Sequence, residues 1–365
     1  MNKLEAARAQ ISEIDREMAL LFERRMRAVR LVAEHKMEYG LPILDAAREQ
    51  ELLEQCAAYI EDGTVREYYV QLLKAELSLS RDYQRRLSQG LRVAYSGVEG
   101  AFAHISAGRI FPGAARVSHK DFRSAYDAVV SGACDCAVLP IENSYNGEVG
   151  EVLDLLFFGS LHVNGVYELG ITQNLIGLPG TDPAQIRQVL SHPQALGQCQ
   201  GYLHDHGWAA VEFANTALAA EHVAKLGDKS VAAIASEETA ALYGLEVLEA
   251  NINASRQNTT RFAVLSRAEN TALGKQMGDH FILVFTSRNE AGSLATALDI
   301  LGNRYGFNMR ALRSRPVKEL LWEYYFYLEA EGDIHSEKGR AMLRDMEPYC
   351  DRLKIVGTFS RNCTL

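Results

Sequence analysis

The sequence predicts a multidomain chain: an all-α segment over residues 1–89, a two-lobed α/β segment over 91–267, and an α+β segment of βαββαβ order over 278–365. Three observations carry this. Between residues 3 and 88, Gly occurs only at Gly40 and Gly63 and Pro only at Pro42, so little interrupts helix. From residue 91 onward short β-rich runs alternate with helical stretches, the pattern of a largely parallel sheet. Beyond a polar linker at 268–277, strand and helix patterns follow one another in the ferredoxin-like order.

The elements follow in chain order. The turn signals at Gly40 and Gly63 divide the first segment into a long helix, a medium one and a third. The first carries Leu4, Ala7, Ile11, Ile14, Met18 and Leu21 at spacings of three and four, which predicts a buried seam. In the second segment the runs 92–95, 136–139 and 231–234 predict strands. A faint repeat predicts two similar lobes with a ligand between them: 125–139 and 216–234 each give helix, Gly, Asp, strand. In the third segment strands are expected at 280–286, 309–314, 321–329 and 353–359, with helices at 293–305 and 336–350.

Bulk properties exclude several classes. The chain has 365 residues, 47% apolar and 23% charged, enough for real cores. A net charge of -9 gives no field favouring nucleic acid or an anionic membrane. No apolar run approaches the roughly 20 residues that span a bilayer, and the charged N-terminus has no signal-peptide pattern. A cytoplasmic protein is therefore expected. The six cysteines form no C-x-x-C pair, so free thiols in a reducing compartment are expected, with no metal and no cofactor.

The helical segment carries a polar set in its seam. The seam reaches Arg25, and Lys36 lies three turns further along the same face. Asp45, Arg48 and Glu49 share a face of the second helix, and Ser80 and Gln84 one of the third. Each alone is also what a solvated face looks like. Together they offer cations and amide donors to one bundle interior, which suits a small dicarboxylate. The pattern Ile14-Asp15-x-x-Met18-x-x-Leu21-Phe22-x-x-Arg25, Lys36, Asp45-x-x-Arg48-Glu49, Ser80-x-x-x-Gln84 resembles the all-helical chorismate mutase family. The resemblance implies that Arg25, Arg48 and Arg8 bind substrate carboxylates. Lys36 and Gln84 would donate to the ether oxygen of the breaking bond, Asp45 and Glu49 would meet the substrate hydroxyl, and Ser80 would be a polar neighbour. Arg8 lies 17 residues before Arg25, about 25 Å along one helix. One small ligand can meet both only if Arg8 comes from a second copy, so a homodimer with shared sites is expected, pairing of dimers into a tetramer being left open.

The α/β segment places polar loops at strand ends, where ligands of such folds bind. Ser96-Gly97-Val98-Glu99-Gly100 follows the first strand, and its glycines can expose N–H groups to an anion. Pro140-Ile141-Glu142-Asn143, Ser191-His192-Pro193-Gln194-x-x-x-Gln198 and Asn258-Thr259-Thr260-Arg261-Phe262 are the others; each alone is also ordinary turn chemistry. In this order they resemble prephenate dehydratases. That implies a periplasmic-binding-protein-like fold and loss of ring carboxylate and hydroxyl from prephenate. Thr260 is expected to donate to the leaving hydroxyl, Asn143, Ser191 and Gln198 to position the substrate, and Arg261 to bind a carboxylate or anchor the structure.

The third segment resembles the ACT domain appended to these dehydratases, which implies phenylalanine as an effector. The resemblance points to Gly292, Ser293, Leu294, Ser314 and Arg315 as its ligands, while Arg313 stands where most members have Glu. Three other readings stay open. One is a dehydratase whose helices only dimerise, another a non-catalytic small-molecule sensor, and the third an arogenate-preferring enzyme.

Overall fold

The structure, a computed structural model, describes residues 2–254, 258–270, 279–288, 290–317, 324–360 and 363–365. It divides into two compact units, Met1–Arg92 and Val93–Leu365.

The first unit has three helices: α1 (Lys3–Tyr39), α2 (Ala46–Ala57) and α3 (Gly63–Gln89). Asn2 and Glu5 form a capping box at the start of α1, and Gly40 at φ 64° ends it. Asp45 and Asp62 cap α2 and α3 through their side chains. The seam expected to be buried is open in the single chain: Leu4, Ile11, Ile14, Met18 and Leu21 are 47–57% exposed. The cause is length. At 37 residues α1 is about 55 Å long, and burial along it begins only at Arg25.

The second unit runs β1 (Arg92–Ser96), α4 (Phe102–Ile110), β2 (Ala115–His119), α5 (Phe122–Val130), β3 (Cys136–Asn143), β4 (Gly147–Glu148), α6 (Gly150–Phe158) and β5 (His162–Gly170). The chain then crosses into a second lobe: β6 (Asn174–Gly177), β7 (Gln188–Ser191), α7 (Pro193–Gln198), α8 (Gln200–His206), β8 (Ala209–Glu212), α9 (Thr216–Leu226), β9 (Val231–Ala235), α10 (Glu237–Tyr243) and β10 (Glu246–Glu249). It returns through β11 (Thr259–Ser266) to the first lobe. The last part is β12 (His280–Ser287), α11 (Ser293–Asp299), β13 (Asn308–Pro316), β14 (Tyr324–Glu331), α12 (Glu337–Met346), β15 (Cys350–Phe359) and β16 (Cys363–Thr364).

The second lobe has its own sheet, in the order β10-β6-β9-β7-β8. Two crossing segments join the lobes and hydrogen-bond to each other: Ile171 N–H donates to Asn258 O at 2.7 Å and Ile252 N–H to Gln173 O at 2.9 Å.

The two segments read as separate domains share one sheet and one core. The path β13-β14-β12-β15-β5-β11-β3-β1-β2 is continuous. Leu139, Leu156 and Val163 of the first lobe lie in one buried cluster with Ile282, Tyr325 and Phe359. The join is a parallel contact of Gly357 in β15 with Val163 in β5. A Cβ at residue 357 would stand 2.0 Å from the Val163 carbonyl oxygen, so only glycine permits the approach. The linker expected at 268–277 lies, from residue 271 on, outside the described residues, as do 321–323 of the expected aromatic strand.

Candidate active sites

In the helical unit, α1 and α3 pack together and bring three of the expected residues to one seam. Arg25 Nη1 donates to Ser80 Oγ at 2.5 Å, and its Nε is 3.1 Å from Glu76, a partner the sequence reading missed. Gln84, one turn beyond Ser80, is buried with its Oε1 unpartnered among the described residues. Lys36 Nζ donates to the Ile43 carbonyl at 2.5 Å. Glu49 pairs with Arg81 of α3.

Three residues of the expected set are elsewhere in the single chain. Asp45 is used as the cap of α2, accepting from Arg48 N–H at 3.0 Å. The Arg48 side chain is exposed and pairs with Glu51 at 2.6 Å, an i,i+3 contact along its own helix. Arg8 is exposed on the same unbroken helix as Arg25.

In the α/β unit a cavity of about 350 Å³ lies between the two lobes. Asn143, Gln198 and Thr260 line it, as do Asn258, Gln173 and His192. Strand alternation on β11 explains the placement: Thr260 and Phe262 line the cavity, and Arg261 between them does not. The polar groups form one chain. Asn143 Nδ2 donates to Thr260 Oγ1 and to Asn258 Oδ1, both at 2.9 Å. Asn258 Nδ2 donates to Gln198 Oε1 at 3.0 Å, and Gln173 Nε2 approaches the same oxygen at 3.3 Å.

Several expectations for this site need correction. Ser191 is wholly buried, and its Oγ donates to the Ile234 carbonyl at 2.7 Å, tying β7 to β9. It therefore holds the lobe together and does not line the cavity. Arg261 makes a bidentate contact with Glu329 of β14, both bonds 3.0 Å, and reaches Glu142 at 3.2 Å. Burial lowers its pKa, but the Glu329 hydrogen bonds and charge outweigh this and raise it. Of the two roles foreseen for Arg261, the anchor fits these contacts. The glycine loop offers neither glycine N–H to an anion, since Gly97 N–H donates to the His119 carbonyl at 2.8 Å. Gly100, at φ 85°, donates to His104 Nδ1 at 3.1 Å, and its carbonyl accepts from Thr239 Oγ1 of α10 at 2.8 Å. The loop thus fastens one lobe to the other.

His192 caps its own helix, its Nδ1 accepting from Gln194 N–H at 3.3 Å. Cys199, beside Gln198, is buried, and burial pushes its thiol up to about 12, so it stays protonated and unreactive near neutral pH. The residues missed were Gln173 and Glu329, while Asn258 was quoted in its motif without a role. Gln173 is a polar residue on a crossing between lobes, a signal present in Gly170-Ile171-Thr172-Gln173-Asn174; Glu329 carries no local signal.

The C-terminal sheet has two faces. One packs on α11 and α12 through Phe281, Phe285 and Leu328. The other carries Arg313, Arg315, Tyr325 and Glu329 toward the first lobe. Arg313 pairs with Glu142, next to Asn143. Arg315 is 2.9 Å from Glu148 and 3.0 Å from Asp154, and Tyr325 donates to Asp154 at 2.7 Å. Arg315 is therefore no ligand of the cavity on the helix side, which Gly292 and Leu294 line with Thr286, Tyr324 and Phe326. Ser293, buried at the helix start, and Ser314, on β13, do not line it either.

Comparison with known proteins covers both units. Residues 7–85 match the model of chorismate mutase type II, and 93–270 that of prephenate dehydratase. A bifunctional chorismate mutase/prephenate dehydratase from Enterobacter agglomerans is 32% identical over 374 residues, covering 98% of this chain and 96% of that protein. Among solved structures, the prephenate dehydratase of Arthrobacter aurescens in complex with L-Phe has a TM-score of 0.67 at 27% identity, covering 74% of this chain and 90% of that one. A structure described as a novel type of quorum-quenching acylase has a TM-score of 0.68 at 30% identity, covering 74% and 98%. With relatedness spanning the helices, the two lobes and the C-terminal sheet, this chain belongs to the bifunctional chorismate mutase/prephenate dehydratases, converting chorismate to prephenate and prephenate to phenylpyruvate.

Proposed function

We propose that the dehydration step is run by Thr260, with Asn143 and Gln198 as its supports. The carrying observation is directional. Thr260 Oγ1 accepts a hydrogen bond from Asn143, and no other partner is seen among the described residues. Its own hydrogen is left to donate into the cleft. In the reaction the ring C–O bond to the hydroxyl and the C–C bond to the ring carboxylate both break. The carboxylate leaves as carbon dioxide, its bonding electrons complete the aromatic ring, and the hydroxyl leaves as water with one proton taken up from solvent. A threonine is too weak an acid to supply that proton outright, so it acts by hydrogen bonding to the departing oxygen. Phe102, Phe122 and Phe262 around the cavity suit the ring. Thr260→Val, given chorismate, should accumulate prephenate while phenylpyruvate formation falls roughly 100-fold. Near-wild-type phenylpyruvate formation by the folded variant sinks this reading.

For the mutase, Arg25, Lys36 and Gln84 serve the bound conformer of chorismate, with charge and amide donors beside the ether oxygen as its bond breaks. The unpaired Gln84 oxygen is an acceptor that suits a ligand donor such as the chorismate hydroxyl, with the amide nitrogen left for the ether oxygen. Arg8 completes the site from a second chain, with Arg48 as a further carboxylate partner once the site is assembled. The exposed apolar face of α1 supports this, since a second copy of the same helix would cover it.

We further assign residues 91–267 to the dehydratase and 278–365 to an ACT-type sensor. Phenylalanine is its effector, received by the cavity at Gly292 and Leu294; an L-Phe complex of a related dehydratase supports this. Calorimetry should show saturable phenylalanine binding, and no heat would make the domain purely structural. The six cysteines, none of them in a disulfide among the described residues, support a reducing, cytoplasmic setting.

A further inference from the structure

The amides of the dehydratase cleft can be oriented without ambiguity, and the orientation reaches a residue with no assigned role. Asn143 Oδ1 accepts from the backbone N–H groups of Tyr145 and Asn146, each at 3.0 Å, and from the Asn146 side chain at 3.3 Å. Backbone N–H groups only donate, so this oxygen is fixed and Asn143 Nδ2 must face Thr260 and Asn258. Asn258 therefore turns its oxygen to Asn143 and its nitrogen to Gln198, whose oxygen receives it. Gln173 meets that same oxygen and must offer it Nε2. The Gln173 Oε1 is thereby left over. It has no partner among the described residues, and Gln173 is 3% exposed.

Gln173 also sits on a lobe crossing. Its N–H donates to Asn253 Oδ1 at 3.2 Å and its carbonyl accepts from Ile252 N–H at 2.9 Å, both on the other crossing segment. Its side chain lines the cavity. A buried acceptor without a donor is costly, and a ligand that supplies the donor recovers the cost.

The chemistry of the substrate limits what that donor is. Near neutral pH prephenate carries two carboxylates and a ketone, all acceptors. Its ring hydroxyl has its one hydrogen available to donate. We propose that Gln173 is a substrate-binding residue of the dehydratase, its Oε1 accepting the hydrogen of the prephenate ring hydroxyl. This oxygen is buried, so the contact requires the Gln173 side chain to turn into the cavity that the residue lines. A hydroxyl is donor and acceptor at once. The proposal assigns its oxygen to Thr260 and its hydrogen to Gln173, both of which line the cavity. This rests on the cleft being the dehydratase site.

The test uses the full chain with Gln173→Leu, and Gln173→Met as a second variant of similar size. Three ligands are compared: prephenate, arogenate, and phenylpyruvate in its keto form, which has lost the hydroxyl. An unchanged thermal unfolding transition of the α/β unit reports that each variant is folded. The kcat/KM for prephenate should fall roughly tenfold while phenylpyruvate affinity stays at the wild-type value. Unchanged prephenate kcat/KM overturns the proposal. So does an equal loss of affinity for both ligands, which makes Gln173 a prop of the hinge, and so does a loss confined to arogenate, whose ammonium is an extra donor. Thr260→Val is measured alongside: if it is silent while Gln173→Leu shows the tenfold loss, the Thr260 role fails and the Gln173 contact stands.

Discussion

The two catalytic regions differ in what one chain supplies. The dehydratase cleft is built from both lobes of a single chain, and its amides are connected from Thr260 to Gln173. The helical unit has Arg25, Ser80 and Gln84 on a half-open seam, while Arg8 and the apolar face of α1 point to solvent. Near one another in the polar residues they use, the sites differ in how those residues are held. The first is preorganised by buried hydrogen bonds. On the proposed pairing the second is completed only by a second copy, so its activity should depend on protomer concentration where the first does not.

Subunit mixing gives the largest contrast. Arg8→Ala and Arg25→Ala chains should each lose mutase activity by two orders of magnitude or more. Refolded together at equal amounts, they should regain about a quarter of wild-type mutase activity, because half the dimers are mixed and each holds one intact site. Dehydratase rates should not change. Failure of the mixture to recover would show that each site draws on one chain.

Next in size is the sheet junction. Gly357→Val sets a side chain against the Val163 backbone, and should destabilise the α/β unit by about 3 kcal/mol. Thermal unfolding should show an early transition that removes dehydratase but spares mutase, since the helices form a separate unit.

The smallest expected effect tests the ion network. Arg313→Glu places a carboxylate beside Glu142 and Glu148. These groups are partly exposed, so the cost should be about 1–2 kcal/mol. Steady-state assays should show a several-fold loss of dehydratase rate with the mutase unaffected.

Much of this architecture was legible in the sequence because it is local. The helix breaks near Gly40 and Gly63, and the strands near 92–95, 136–139 and 231–234, are set by neighbouring residues. Thr260, Asn143 and Gln198 lay in loops that strand-end logic singles out, and the cavity collects all three. What stayed hidden is long-range. Nothing near Ser191 says that its hydroxyl closes on Ile234, 43 residues on. Nothing near Arg261 names Glu329 as its partner, nor marks Gly357 as the point where two sheets become one. The α1 seam was read correctly as apolar and wrongly as buried, because a sequence pattern says that a face must be covered without saying by which molecule.

The Gly357 junction has a practical consequence for shortened chains. Cutting away residues after 278 would strip β5 of its neighbours β15 and β16 and leave a row of unpaired backbone donors and acceptors. Such a rim recruits strands from other molecules. A trimmed dehydratase should therefore precipitate or form fibrils unless something else covers that rim, the part that the C-terminal strands play in the whole chain.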